Sequence, residues 1–133
     1  MKRTVSLILC LALLTSFCSL AFADEIAIQP RFSHIAAFTC NISKNTITYK
    51  VSCNVIAKDP SYTVSFTATL QEYSSAWTDT SHVWNASEVA SAGIVKNIFL
   101  SGGTYRIKLD ITILSSTGAV LETETVYSNQ YII

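Results

Sequence analysis

Two segments of the chain alternate apolar and polar residues with a period of two. From Tyr62 the even positions Tyr62, Val64, Phe66, Ala68 and Leu70 are apolar or small, while Thr63, Ser65, Thr67, Thr69 and Gln71 are polar. Tyr105, Ile107, Leu109, Ile111 and Ile113 repeat the pattern against Thr104, Arg106, Lys108, Asp110 and Thr112. A strand turns successive side chains to opposite faces, so each run predicts a strand with one buried face. A third run sets Ile47, Tyr49, Val51, Cys53 and Val55 against Thr48, Lys50, Ser52 and Asn54, and Phe38, Cys40 and Ile42 form a shorter run before it. Residues 94–100 and 120–131 supply flanking strands, and SGGT (101–104) and SSTG (115–118) are turn signals around the Tyr105 strand. The segment NASEVASAG (85–93) reads as a loop. Short one-sided strands joined by close turns bury themselves best as two facing sheets. The expected fold is therefore all-β, a single immunoglobulin-like antiparallel β-sandwich of about six to seven strands.

The first residues change the size of the folding unit. Lys2 and Arg3 give a positive start, Val5 to Leu14 is almost continuously apolar, and Ala21-Phe22-Ala23 has the small-x-small pattern read by signal peptidase. Residues 1–23 read as a secretory signal peptide, with cleavage between Ala23 and Asp24 and a mature domain over 24–133. The apolar run is short of the roughly 20 residues a membrane span needs, and no second long run follows, so no stable membrane insertion is expected. Cys18 follows Phe17 rather than the small residue that lipid attachment prefers. The remaining 110 residues suffice for one small domain. Loss of Lys2 and Arg3 leaves seven basic against nine acidic residues, a net charge of −2 with no basic cluster, which argues against nucleic acid as a partner.

The start Ile28-Gln29-Pro30-Arg31, then LQEYSSAW, then GGTYRIKL and a late Tyr127-Ser128 together resemble a group of small secreted proteins of Gram-positive bacteria that carry a domain of unknown function. The likeness spans nearly the whole mature chain and rests on the order of its motifs. It implies export, a β-sandwich and no assigned activity. In that group the two tryptophans share a strand face, and here their spacing departs from that.

Two cysteines remain after processing, Cys40 and Cys53. An even number in an exported chain makes a disulfide the default. A two-residue turn at Lys44-Asn45 would set Cys40 opposite Tyr49 and leave Cys53 about 13 Å along the partner strand, beyond bridging reach. A bridge requires a loop at roughly Asn45 to Thr48, which shifts the pairing by an even number and keeps both cysteines on one face. The alternative is two buried free thiols.

Candidate chemistry concentrates in LQEYSSAWTDTSHVW (70–84), which holds both tryptophans, a tyrosine and one of the two histidines. Tyr73, Trp77, His82 and Trp84 are the candidate binding residues. Trp77 and Trp84 are seven positions apart, an odd number, so on one uninterrupted strand they point to opposite faces. Trp84, beside Val83, is expected to be the more buried, and Trp77, beside Thr78 and Asp79, to offer a binding platform. His34 and His82 have no serine or cysteine in a nucleophile-elbow context. Glu122 and Glu124 share a strand face, and Asp79 and Glu88 flank the aromatic region; paired carboxylates suit a glycosidase, but a solvated sheet face explains the Glu122–Glu124 pair better. Asn41-Ile42-Ser43 and Asn85-Ala86-Ser87 match the N-glycosylation pattern and read as chance. No catalytic, metal or cofactor motif is present.

The leading expectation is an exported non-catalytic module that binds an extracellular glycan or protein, motivated by the aromatic cluster and the Thr63, Thr67, Thr69 sheet face. An alternative is a self-associating component, a homo-oligomer formed through an edge strand, motivated by the apolar ending NQYII. A small secreted hydrolase stands third.

Overall fold

The computed structural model describes residues 31–133. The expected signal peptide and its junction at Ala23 and Asp24 lie outside the described residues. Eight strands follow one another: β1 (Ile35–Asn45), β2 (Thr48–Ala57), β3 (Thr63–Tyr73), β4 (Trp77–Val89), β5 (Ser91–Ile98), β6 (Thr104–Leu114), β7 (Val120–Tyr127) and the short β8 (Tyr131–Ile132). Every pairing is antiparallel. The smaller sheet has the order β1-β2-β5, and the larger has the order β4-β3-β6-β7, with β8 pairing to β6 beyond the end of β7. Seven strands carry the sandwich, in line with the alternation, and the two-residue β8 is the eighth.

The core is made where the alternation is cleanest. Ile107, Leu109, Ile111 and Ile113 of β6 are fully buried, as are Val64, Ala68 and Leu70 of β3, with Phe66 almost so. Val51, Cys53 and Val55 face them from β2, the middle strand of the smaller sheet. Burying a side chain of this size removes enough apolar surface to contribute about 1.5–3 kcal/mol, so these three central strands supply most of the driving force.

Two pairings settle the cysteine question. Asn45 pairs with Thr48, so the β1–β2 turn is Thr46-Ile47, two positions further along than Lys44-Asn45. Thr46 takes a positive φ of 54° to close it. Ile47 thereby leaves the alternating run expected for β2 and stands 76% exposed in the turn. With this register Cys40 lies directly opposite Cys53, the Cα atoms are 4.1 Å apart, and the two are disulfide-bonded.

Residues 85–93 do not form the expected loop. β4 continues to Val89 along β3, and β5 starts at Ser91 along β2. The chain crosses between the sheets at Ala90 alone, whose φ is +68°. Its N–H donates to Tyr62 O at 2.8 Å and its carbonyl accepts from Ala57 N–H at 2.9 Å, so both sheets hold the corner. The polar, small-residue composition that suggested a loop belongs to edge strands. Gly93, for example, lies where an added Cβ would meet Asn54 Oδ1 at 3.2 Å.

The glutamates of β7 require a second correction. Glu122 pairs with Ile113 and Glu124 with Ile111, so both sit on the core side of an edge strand and not on a solvated outer face. The Glu122 side chain is only 9% exposed. Its Oε1 accepts the Ser33 N–H at 2.9 Å, and its Oε2 accepts those of His34 at 2.6 Å and Ile35 at 3.2 Å. Burial pushes this carboxyl's pKa up, but the three backbone donors and the nearby His34 outweigh it and hold the value below the ordinary one. One carboxylate of the larger sheet thus anchors the chain where it enters β1 of the smaller. Inward-pointing charge also discourages pairing at an exposed edge.

The apolar C-terminus is likewise in use. Tyr131 pairs with Tyr105 and Ile132 with Thr104, and the Ile133 N–H donates to Gly103 O at 2.9 Å. The Tyr131 ring meets Tyr49 of β2 edge-on at 5.9 Å.

Candidate binding face

β4 carries both tryptophans and is irregular between them. Thr69 of β3 pairs with Val83, and Gln71 with Asp79, so one residue of β3, Leu70, faces Thr80, Ser81 and His82 of β4. The bulge adds two residues, an even number, and leaves the parity of the strand intact. Trp77 and Trp84 therefore point to opposite sides of the sheet. Trp84, across from Ala68, packs against the core, with the His82 ring stacked on it at 5.8 Å and 20°. Trp77, across from Tyr73, lies on the outer face, the two rings 5.2 Å apart and Tyr73 50% exposed. The four aromatic candidates thus separate into an inner pair, His82 and Trp84, and an outer pair, Tyr73 and Trp77.

The outer pair belongs to a larger constellation. Arg106 of β6 lies with its guanidinium carbon 4.3 Å from the Trp77 ring centroid and 4.0 Å from that of Tyr127 on β7. A cation within about 6 Å of a ring face is attracted by the ring's quadrupole. Arg106 Nε donates to Gln71 Oε1 at 2.8 Å, and Gln71 Nε2 donates to Asp79 Oδ1 at 2.7 Å. Lys108 Nζ pairs with Asp79 Oδ2 at 2.9 Å. The bonds from Gln71 and Lys108 hold the Asp79 carboxyl below its ordinary pKa, and the same contact raises Lys108. Beneath this canopy Thr69 and Gln71 are only 5% and 6% exposed although they face outward. Thr67, further along β3, spends its hydroxyl on Asn85 Oδ1 at 2.7 Å.

Arg106, Tyr127, Gln71 and Lys108 are absent from the candidates read out of the sequence, and Asp79 figures there only as a carboxylate flanking the aromatic region. The alternation places Gln71, Arg106 and Lys108 outward, but only the register of four strands brings residues as distant as 77 and 127 around one guanidinium.

The β4 bulge also opens a cleft of about 210 Å³ at one end of the sandwich, lined by Glu72, Thr80, Ser81, His82, Phe99 and Tyr105 among others. The Tyr105 hydroxyl lies 3.5 Å from Glu72 Oε1 and donates to Ser101 O at 3.1 Å. Among the described residues no serine hydroxyl is hydrogen-bonded to a histidine ring, no three metal-ligating side chains cluster, and no helix is long and apolar enough to cross a membrane.

No family model, curated protein or solved structure matches the chain.

Proposed function

We propose that this chain is an exported, non-catalytic β-sandwich module that binds an extracellular glycan through the outer face of its larger sheet. The observation that carries the reading is the seating of Arg106 over Trp77 and Tyr127, beside Tyr73, with Gln71, Asp79 and Lys108 completing a hydrogen-bonded network. A sugar ring has an apolar face and a hydroxyl rim. A surface that interleaves aromatic rings with fixed donors and acceptors meets both. The network is preassembled, so little side-chain entropy is lost when a ligand settles on it.

Export is supported by the 1–23 pattern and by the Cys40–Cys53 bond, since disulfides persist in oxidising compartments. An immunoglobulin-like topology is supported by the strand orders β1-β2-β5 and β4-β3-β6-β7 and by Tyr105, the second residue of β6, which bonds back to the backbone of Ser101. The test of the binding reading is co-sedimentation of the protein with insoluble cell-wall polysaccharides, alongside Trp77→Ala and Tyr127→Ala. Both variants should stay folded and lose retention, and full retention by either removes the outer face from the function.

A second reading, self-association, draws on a different edge. β4 is interrupted by its bulge and β7 carries inward glutamates, whereas β1, which among the described residues pairs with β2 alone, is regular from Ala37 to Asn45. Gel filtration across a concentration series decides it, a constant monomer counting against β1 pairing.

A further inference from the structure

Resting on the glycan-binding reading, we infer that the ligand of the outer face carries a carboxylate, and that the terminal N–H groups of Arg106 read it. A guanidinium has five N–H donors in a rigid planar fork. Arg106 spends the Nε donor on Gln71. The N–H groups of its two terminal nitrogens have no acceptor among the described residues, and neither nitrogen is among the described side-chain polar atoms that are buried without a partner. Trp77 and Tyr127 occupy two approaches to the guanidinium and Gln71 a third. The open approach is the paired terminal N–H edge, whose geometry matches the two oxygens of a carboxylate.

The surrounding charges favour the same ligand. Asp79 engages one oxygen with Gln71 and the other with Lys108, so it is not available to neutralise Arg106. With Asp79 paired to Lys108, Arg106 has no ion-pair partner among the described residues. Asp110, the next acid along β6, lies four residues from Arg106, about 13 Å at the rise of a strand, and its Oδ1 accepts from Thr125 at 2.6 Å. An arginine held between rings is partly desolvated, which strengthens its pairing with an anion relative to the same pair in open water. Uronic-acid polymers join a ring with an apolar face to a carboxylate, and they fit both halves of the site.

The experiment measures binding of the exported protein to four probes by calorimetry: oligogalacturonate, its methyl ester, a neutral cello-oligosaccharide, and a poly(glycerol phosphate). Oligogalacturonate should bind at least tenfold more tightly than the other three. Arg106→Lys, which keeps the charge but loses the fork, should weaken that binding about tenfold and lower the ratio of acid to methyl-ester affinity. Equal affinity for acid and ester would overturn the carboxylate inference while leaving the glycan reading intact. Preference for the phosphate polymer, or an Arg106→Lys variant that binds oligogalacturonate as tightly as the parent, would overturn it as well. Binding to none of the four would remove both readings together.

Discussion

The two faces of the larger sheet are built by the same strands from alternate residues, yet they are held together by different physics. On the inner face Val64, Phe66, Ala68 and Leu70 of β3 meet Ile107, Leu109, Ile111 and Ile113 of β6, and the contribution is apolar area removed from water. On the outer face Gln71, Arg106, Lys108 and Asp79 form charge-assisted hydrogen bonds under three aromatic rings. Such bonds near solvent add little net stability, because water offers nearly equivalent partners to the unfolded chain. What they do fix is the position of each group. The inner face sets whether the domain folds, and the outer face sets what it presents once folded.

Substitution on the inner face should have the largest effect. Ile111 is fully buried in the middle of β6, and Ile111→Ala removes its apolar volume and leaves a cavity, at a cost of about 2–5 kcal/mol. Urea unfolding monitored by tryptophan fluorescence measures it. A loss under 1 kcal/mol would mean that the two sheets do not pack as described. Trp84→Ala on the same side should fall in the lower part of that range, because the ring is only partly buried.

The opposite wall of the core is cross-linked. The Cys40–Cys53 bond spans a sequence separation of 13, and a loop of about 15 residues constrains the unfolded chain by roughly 3 kcal/mol in the chain-entropy estimate. The Cys40→Ser, Cys53→Ser double variant should lose an amount of this order. Thiol titration of the unfolded, unreduced protein should find neither of these cysteines free, and two reactive thiols would refute the bond.

A smaller effect, with a distinctive pH dependence, is expected at the rim between the faces. Glu122→Gln replaces a carboxylate that accepts three backbone N–H groups with an amide that has one acceptor oxygen. Hydrogen bonds to a charged group put the cost at about 1–3 kcal/mol. Because the folded protein holds this carboxyl below the ordinary value of 4.5, its contribution is complete above that value. It is lost as the pH falls below 4.5 through the lower folded-state value. The parent should therefore lose part of its stability in this acid window, and the variant should show a flatter profile. Parallel profiles would show that Glu122 is not the group responsible.

The contrast between the faces also explains what the sequence reveals. β3, β6 and β2 are central strands, and through their middles (64–70, 105–113 and 49–55) apolar residues recur at every second position, so fold class follows from them. The even shift that brings Cys40 opposite Cys53 is legible from parity and bonding distance. The odd spacing of Trp77 and Trp84 separates the rings correctly because the bulge inserts two residues, not one. Edge strands are less readable. Residues 85–93 resemble a loop because an edge strand needs few large apolar residues. Glu122 resembles a surface residue because the backbone groups that satisfy it lie almost 90 positions away. The outer network has the same cause: Arg106 announces nothing until β4, β3, β6 and β7 are in register.

The smallest stability effect is expected at Trp77, and it sharpens the comparison most. Its ring covers part of Arg106 and leans on Tyr73 at 5.2 Å, but no core side chain depends on it. Trp77→Ala removes one of two cation–π contacts, each about 0.5–1 kcal/mol at an exposed site, and leaves Tyr127 and Gln71 to hold the guanidinium. A cost of about 1 kcal/mol in stability should accompany a much larger loss of ligand binding. Trp84→Ala should do the reverse, costing several times more in unfolding free energy while leaving the outer network in place. Iodide quenching in each variant reports on the remaining tryptophan. Trp77 should be accessible to iodide in the Trp84→Ala protein, and Trp84 more shielded in the Trp77→Ala protein. Equal stability losses with both rings equally shielded would mean that Trp77 is part of the core and that the outer face has no separate role.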